Sequence, residues 1–182
     1  MSALSKVEAA NSLPIYAEFR LFREVGGAHL KHFSALTEIF RRILTPLYGS
    51  QDKALQQIRA GLDRKCFLLY EGETAVGVLV FKTVLSNEFA EYGVRNSIEI
   101  KSLFLDQSVS NSGRGLGSVL VDKVKEEAKK LKLGHEGLHV TVSETKQESL
   151  MFFMKKGFTI AHAWKDRYQK GVTEYLLSCP AN

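Results

Sequence analysis

Proline is scarce in this chain, three residues among 182, so little of the backbone is barred from helix or strand. Cysteine is scarcer still. Cys66 and Cys179 both sit inside apolar runs, which excludes a disulfide framework and predicts two buried thiols. No apolar run approaches the ~18 residues of a membrane span. The opening residues, MSALSKVEAANSLP, lack the apolar stretch of a secretory signal, so the expected location is the cytoplasm. Internal repeats and low-complexity tracts are absent. His29 and His32 stand three apart with no further ligand in a metal-binding pattern, so surface histidines are expected and no metal.

What is present is the composition of an ordinary globular chain, 45% hydrophobic and 25% charged. A chain of this length buries about 70% of its unfolded surface and needs no staple. The charge, +5, suits an anionic small ligand and by itself makes no case for nucleic acid. Residues 1–14 read as a flexible tail and 15–182 as one domain. Alternation predicts a strand over Ile15–Arg23, ended by Gly26-Gly27. Leu30, Phe33, Leu36, Phe40, Ile43 and Leu47 keep helical spacing, and Ser50 reads as the N-cap of a second helix through Leu62. Lys65–Tyr70 and Thr74–Leu85 read as a hairpin, and Asn96–Leu105 as a further strand. Gly115–Leu133 is a helix closed by Gly134, Gly137–Val142 a strand, and Gln147–Lys156 a helix stopped by Gly157. Phe158–Tyr168 and Val172–Ser178 complete the pattern. The order β-α-α-β-β-β-α-β-α-β-β predicts a mixed α/β fold, a central sheet of about seven strands with helices on both faces.

The most informative stretch is Ser112-Gly113-Arg114-Gly115-Leu116-Gly117-Ser118, between a strand and a helix. Glycines allow a tight turn and close approach to a ligand. The first amides of the helix have no intrahelical partner and favour a phosphate or pyrophosphate, to which Arg114 adds a cation. A P-loop fits poorly, because Ser118-Val119 follows Gly117 where Lys and then Ser or Thr are required. A dinucleotide fingerprint misses its last glycine, since Ser118 stands there, and lacks the βαβ continuation. A coenzyme A pyrophosphate loop is a third reading, and a plain capped turn a fourth.

With this loop and the downstream Phe152-Phe153-Met154-Lys155-Lys156-Gly157-Phe158, the chain resembles the GNAT superfamily of N-acetyltransferases. The family's phosphate loop is Gln/Arg-x-x-Gly-x-Gly/Ala. Ser112 stands where Gln or Arg is usual, and Gly115 and Gly117 match its glycines. Lys146 stands where the family has Asn, and Phe153 where it has Tyr. The hairpin containing Gly77 is similar to the family's second and third strands, so the likeness runs from about Cys66 to Phe158.

The resemblance implies acetyl transfer from acetyl-coenzyme A to an amine acceptor. It implies that backbone groups of Leu103, Phe104 and Leu105 carry the pantetheine arm. Ser112, Gly113, Arg114, Gly115, Leu116, Gly117 and Ser118 would hold the pyrophosphate, and Phe153 would pack on the coenzyme. Glu99, on the strand leading to the loop, matches the general base of some members; the alternative is a surface carboxylate paired with Lys101. A half-buried Glu99 is expected to have a raised pKa. In the family the Tyr protonates the leaving thiolate, which Phe153 cannot do; water, Ser149 or another tyrosine would have to substitute. Trp164 reads as packing; Lys165–Lys170 reads as a polar turn, of a kind that in the family often borders the acceptor, and Tyr48 carries the same two readings. Two other functions stay open: a non-enzymatic acyl-coenzyme A sensor, and a toxin-like modifier of aminoacyl-tRNA or protein. No membrane partner is expected, transfer RNA is the one nucleic acid kept in view, and a homodimer is left open.

Overall fold

The computed structural model describes residues 20–106, 115–132 and 134–181. Seven strands are present: β1 Arg20–Val25, β2 Arg64–Glu71, β3 Thr74–Lys82, β4 Ser97–Leu105, β5 Gly137–Ser143, β6 Thr159–Lys165 and β7 Thr173–Pro180. They form one sheet in the order β1-β2-β3-β4-β5-β7-β6. The β4–β5 pair is parallel and every other neighbouring pair is antiparallel, so the sheet is mixed, as the pattern predicts. The helices are α1 Phe33–Ile39, α2 Thr45–Tyr48, α3 Asp52–Ala60, α4 Leu116–Leu131 and α5 Gln147–Lys155.

Each strand's alternation sorts its apolar side chains onto two faces. On one face Leu36, Ile39, Phe40, Leu44 and Ile58, from α1 to α3, pack on Cys66, Leu68, Val78 and Val80. On the other, Leu116, Leu120, Val121, Val124 and Ala128 of α4 and Leu150 and Phe153 of α5 pack on Leu69, Leu79, Phe81, Ile98 and Val140. A third cluster, Phe89, Val94 and Leu176, lies where the β3–β4 connection folds back over the sheet. Cys66 and Cys179 are free and buried, and burial pushes the Cys66 thiol up.

Several boundaries differ from those read in the sequence. Of the predicted first strand, residues 15–19 lie outside the described residues, and the strand continues past Arg23 to Val25. The single helix expected from Leu30 to Leu47 is broken by a π turn over Phe40–Leu44. Pro46 has no N–H, and its ring crowds the carbonyl four residues back, that of Arg42; a widened turn relieves both. Gln51, not Ser50, caps α3, although the Ser50 hydroxyl still accepts the Asp52 N–H at 3.3 Å. β3 stops at Lys82 and not Leu85, and β6 stops at Lys165 and not Tyr168, where Asp166 turns with φ +62°. α4 ends at Leu131 because Lys132 takes the left-handed conformation that the sequence assigns to Gly134.

Candidate active site

β4 pairs with β3 up to Leu105, but with β5 only over Ser97–Glu99 against Gly137–His139. Both strands continue, to Leu105 and Ser143, with no pairing between them among the described residues. They therefore diverge, and a wedge opens with Glu99 and His139 at its apex. The register of β3 on β4 slips between Val80 and Phe81, leaving Lys101 without a cross-strand partner. Such a bulge bends the strand and re-aims the residues after it. Beyond it Leu103 and Leu105 pack into the α4 and α5 side of the core, and Phe104 turns to the other side against Phe40. All three predicted pantetheine residues thus spend their side chains on the core. Their backbone edge faces the wedge, as a backbone-only role requires.

Glu99 points away from the α4 face, since its neighbours Ile98 and Ile100 are buried there. Its carboxylate meets the ammonium of Lys82 at 2.8 Å and that of Lys101 at 2.8 Å. The expected upward shift does not occur. Burial does push the carboxyl up, but the hydrogen bonds and charges of Lys101 and Lys82 outweigh it and hold Glu99 below its ordinary range. Asp106, the acid next to the loop, is buried and held by two hydrogen bonds from Arg42.

His139 is a site residue that the sequence pattern alone did not bring forward. It is fully buried, Nδ1 lies 2.7 Å from the Ser97 hydroxyl, Phe89 packs edge-on against the ring, and Nε2 has no partner. Burial pushes its pKa down to about 4, which the Glu99 charge only partly offsets, so the imidazole is neutral at ordinary pH. A signal was available: in Gly137-Leu138-His139-Val140, strict alternation puts the histidine opposite its apolar neighbours, on the face of Glu99.

The glycine loop is described only from Gly115 onward; Ser112, Gly113 and Arg114 lie outside the described residues. Gly115 caps α4 with φ +69°, and a β-carbon there would meet nothing within 4 Å. Gly117 is different. A β-carbon there would come within 2.8 Å of the Phe152 ring, so this glycine lets α5 lie close against α4. Leu116 is buried, and Ser118 is half-buried. Phe153 is only 4% exposed, wedged between Phe152 and Phe158 at ring separations of 5.2 and 5.1 Å.

Trp164 is half-buried against Phe89 and Tyr92, and Arg167 stacks 4.0 Å over it while bonding Glu88 at 3.2 Å. The β6–β7 turn is thereby tied to the β3–β4 connection, along one flank of the Glu99 face. Tyr48, at the end of α2, stands over Lys146 just beyond β5. His32 Nδ1 meets the Tyr70 hydroxyl at 3.2 Å, and no group of three potential metal ligands occurs among the described residues. No helix among them is long and apolar enough to cross a membrane.

The sheet is mixed, and its parallel central strands part ahead of a glycine-capped helix. Residues 33–158 match the sequence profile of the Acetyltransferase (GNAT) family, and the chain belongs to that family. Its membership makes it an acyltransferase. Among solved structures it is similar to Arabidopsis thaliana NAA60 in complex with acetyl-CoA, at 16% identity over 88% of this chain and 98% of that one, with a TM-score of 0.70. It is similar to the ribosomal-protein-S18-alanine N-acetyltransferase of Escherichia coli, at 14% identity over 90% and 94% of the two chains, TM-score 0.68. A GNAT family acetyltransferase from Elizabethkingia anophelis with acetyl-CoA bound matches at 16% identity over 90% and 99%, TM-score 0.63. No match was found among curated proteins.

Proposed function

We propose that this chain transfers the acetyl group to a primary amine by direct attack, with Glu99 taking the amine proton, directly or through one water. The observation that carries the reading is the placement of an ionised carboxylate at the apex of the β4–β5 wedge, beyond the backbone edge of Leu103–Leu105. Holding donor and amine side by side is itself a large contribution, up to ~7 to 11 kcal/mol in the best cases. Leu103, Phe104 and Leu105 hold the pantetheine arm through their amides and carbonyls. The amides from Gly113 to Ser118 hold the pyrophosphate, with Ser112 and Arg114 beside them. Phe153 supports this wall of the coenzyme site from within the core.

Lys82 and Lys101 fix the orientation of Glu99 and keep it free of a proton at ordinary pH. They also make it a weak base. Such a base works when proton transfer follows attack, because the nitrogen becomes strongly acidic once it bonds the acetyl carbon. His139, neutral and directly across from Glu99 in the β4–β5 register, lies buried beneath the same face. An amine acceptor is in keeping with the alanine named for the Escherichia coli neighbour.

The test is product detection by mass spectrometry after incubating the protein and acetyl-CoA with a pool of polyamines, amino acids, peptides with free amino termini and proteins. An acetylated amine is expected. Coenzyme A binding without any acetylated amine would overturn the reading in favour of a binding module.

A further inference from the structure

Collapse of an acyl adduct leaves a coenzyme A thiolate, and a thiolate departs more readily when a cation or acid meets it. In this chain the ring of Phe153 has no O–H and lies almost wholly inside the core. Lys146 stands in the connection between β5 and α5, as the N-cap of the helix that carries Phe153. Its backbone is pinned at both ends: its N–H donates to the Ser143 carbonyl at 2.9 Å, and its carbonyl accepts from the Leu150 N–H at 3.0 Å. Its side chain is half-buried, with the ammonium 5.4 Å from the centre of the Tyr48 ring.

Two features of this lysine bear on the departing sulfur. Tyr48 belongs to the α1–α3 layer, whose Phe40 packs on Phe104 of β4, whereas Lys146 follows β5. Their contact therefore crosses the open end of the wedge between the two strands. In addition, the half-buried ammonium of Lys146 has no carboxylate partner among the described residues. A half-buried cation steered by an aromatic ring and left without an anion is placed for an anion that arrives with the substrate.

We propose that Lys146 is the proton donor to the departing coenzyme A sulfur, steered to the wedge by the ring of Tyr48. The inference rests on the acetyl-transfer reading above. As the amine's electron pair forms the carbon–nitrogen bond, the carbon–sulfur bond breaks with its pair going to sulfur. The Lys146 ammonium gives that sulfur a proton and regains one from solvent, while the amine proton leaves to Glu99, which returns it to solvent. The products are an amide and free coenzyme A, with no net proton gained or lost by the enzyme.

The experiment monitors thiol release and amine acetylation with acetyl-CoA and the amine pool, and coenzyme A affinity by calorimetry, in the full chain. Lys146→Met is expected to lower kcat by roughly 10² or more with coenzyme A affinity little changed. Tyr48→Phe, which keeps the ring, should turn over like wild type, and Tyr48→Ala should be slowed. A Lys146→Met enzyme with undiminished kcat overturns the proposal. So does a Tyr48→Phe enzyme as slow as Lys146→Met, which would make the phenol the donor. Wild-type protein that binds coenzyme A but acetylates nothing overturns the acetyl-transfer reading and this proposal together, whereas active wild type with an unaffected Lys146→Met removes the proposal alone.

Discussion

A single carboxylate, Glu99, concentrates the opposing forces at the site. Burial alone would raise its pKa; two ammonium groups at hydrogen-bonding distance reverse the sign. The group therefore loses its charge only at a pH below the ordinary carboxylate range, and a base of this kind sets the acidic limb of the rate profile. Glu99→Gln keeps the shape and removes the base. If proton removal limits the rate, kcat falls by roughly 10² to 10⁴ with coenzyme affinity little changed. The acidic limb, lying below the usual range in wild type, should vanish in the variant. Superimposable pH–rate curves with equal plateaus would take Glu99 out of the chemistry and leave it as an orienting ion pair. The presence of Glu99 and its pairing with Lys101 could be read from spacing along one strand. Lys82 could not, because it comes from β3 and meets Glu99 only through sheet register.

The elements around the site show how one glycine motif answers two separate demands. Gly115 is required by its backbone angle and Gly117 by its neighbour. Gly115→Ala should cost about 1 kcal/mol, the penalty of a left-handed L-residue, because nothing crowds a β-carbon there. Gly115→Asp should in addition lose coenzyme A affinity, since it sets a negative charge against the phosphate site. Gly117→Ala should cost more, ~1 to 3 kcal/mol, because the Phe152 ring must move. Urea unfolding and calorimetry on the three variants check this; Gly117→Ala as stable as wild type would refute the packing role.

Helix α4 carries a second test. Glu127 is buried on it, with Lys123 at 2.9 Å, Lys130 at 3.0 Å and Lys65 of β2 at 3.3 Å. Burial pushes its pKa up, but the three lysines prevail and hold it at about 2. A depressed native pKa contributes stability above the unfolded value, ~4.3, and that contribution is lost as pH falls through about 2. After allowance for the solvent exposure of Lys130, Glu127 should be worth about 1 to 2 kcal/mol near pH 7. Glu127→Gln should unfold at lower urea than wild type near neutrality, and the gap should narrow from about pH 4 and close as pH falls through about 2. A gap independent of pH would show that packing, not charge, holds this residue.

At the scale of the whole molecule, the decisive feature is that two layers of helices clamp a sheet whose central parallel pair is joined for only three residues on each strand. The rest of the β4 edge has no strand partner among the described residues, so a coenzyme bound there, as proposed, would bridge the half-sheets β1–β4 and β5–β7. Coenzyme A at about 100 times its Kd should stabilise the folded chain by about 2.7 kcal/mol. For a chain of this size that is roughly a 5 to 11 °C rise in Tm. A thermal scan with and without coenzyme A reads it directly, and an unchanged Tm at saturating coenzyme would remove the wedge as the binding site.

Periodicity in the sequence was sufficient for the order of the strands and for most helices, though it ran α1 and α2 together, because burial of alternating or helically spaced apolar residues follows from local geometry. It was sufficient also for the glycine motif and for the candidate carboxylate, both of which lie within short stretches of chain. Element ends escaped it wherever a backbone angle decided them, as at Lys132 and Asp166. So did every relation between distant residues. The parting of β4 from β5, the lysine from β3 that lowers the Glu99 pKa, the unpartnered nitrogen of His139 and the meeting of Tyr48 with Lys146 all depend on register and layer packing. These contacts join residues tens of positions apart, and no local pattern encodes them; only the closed core brings them within a few ångströms.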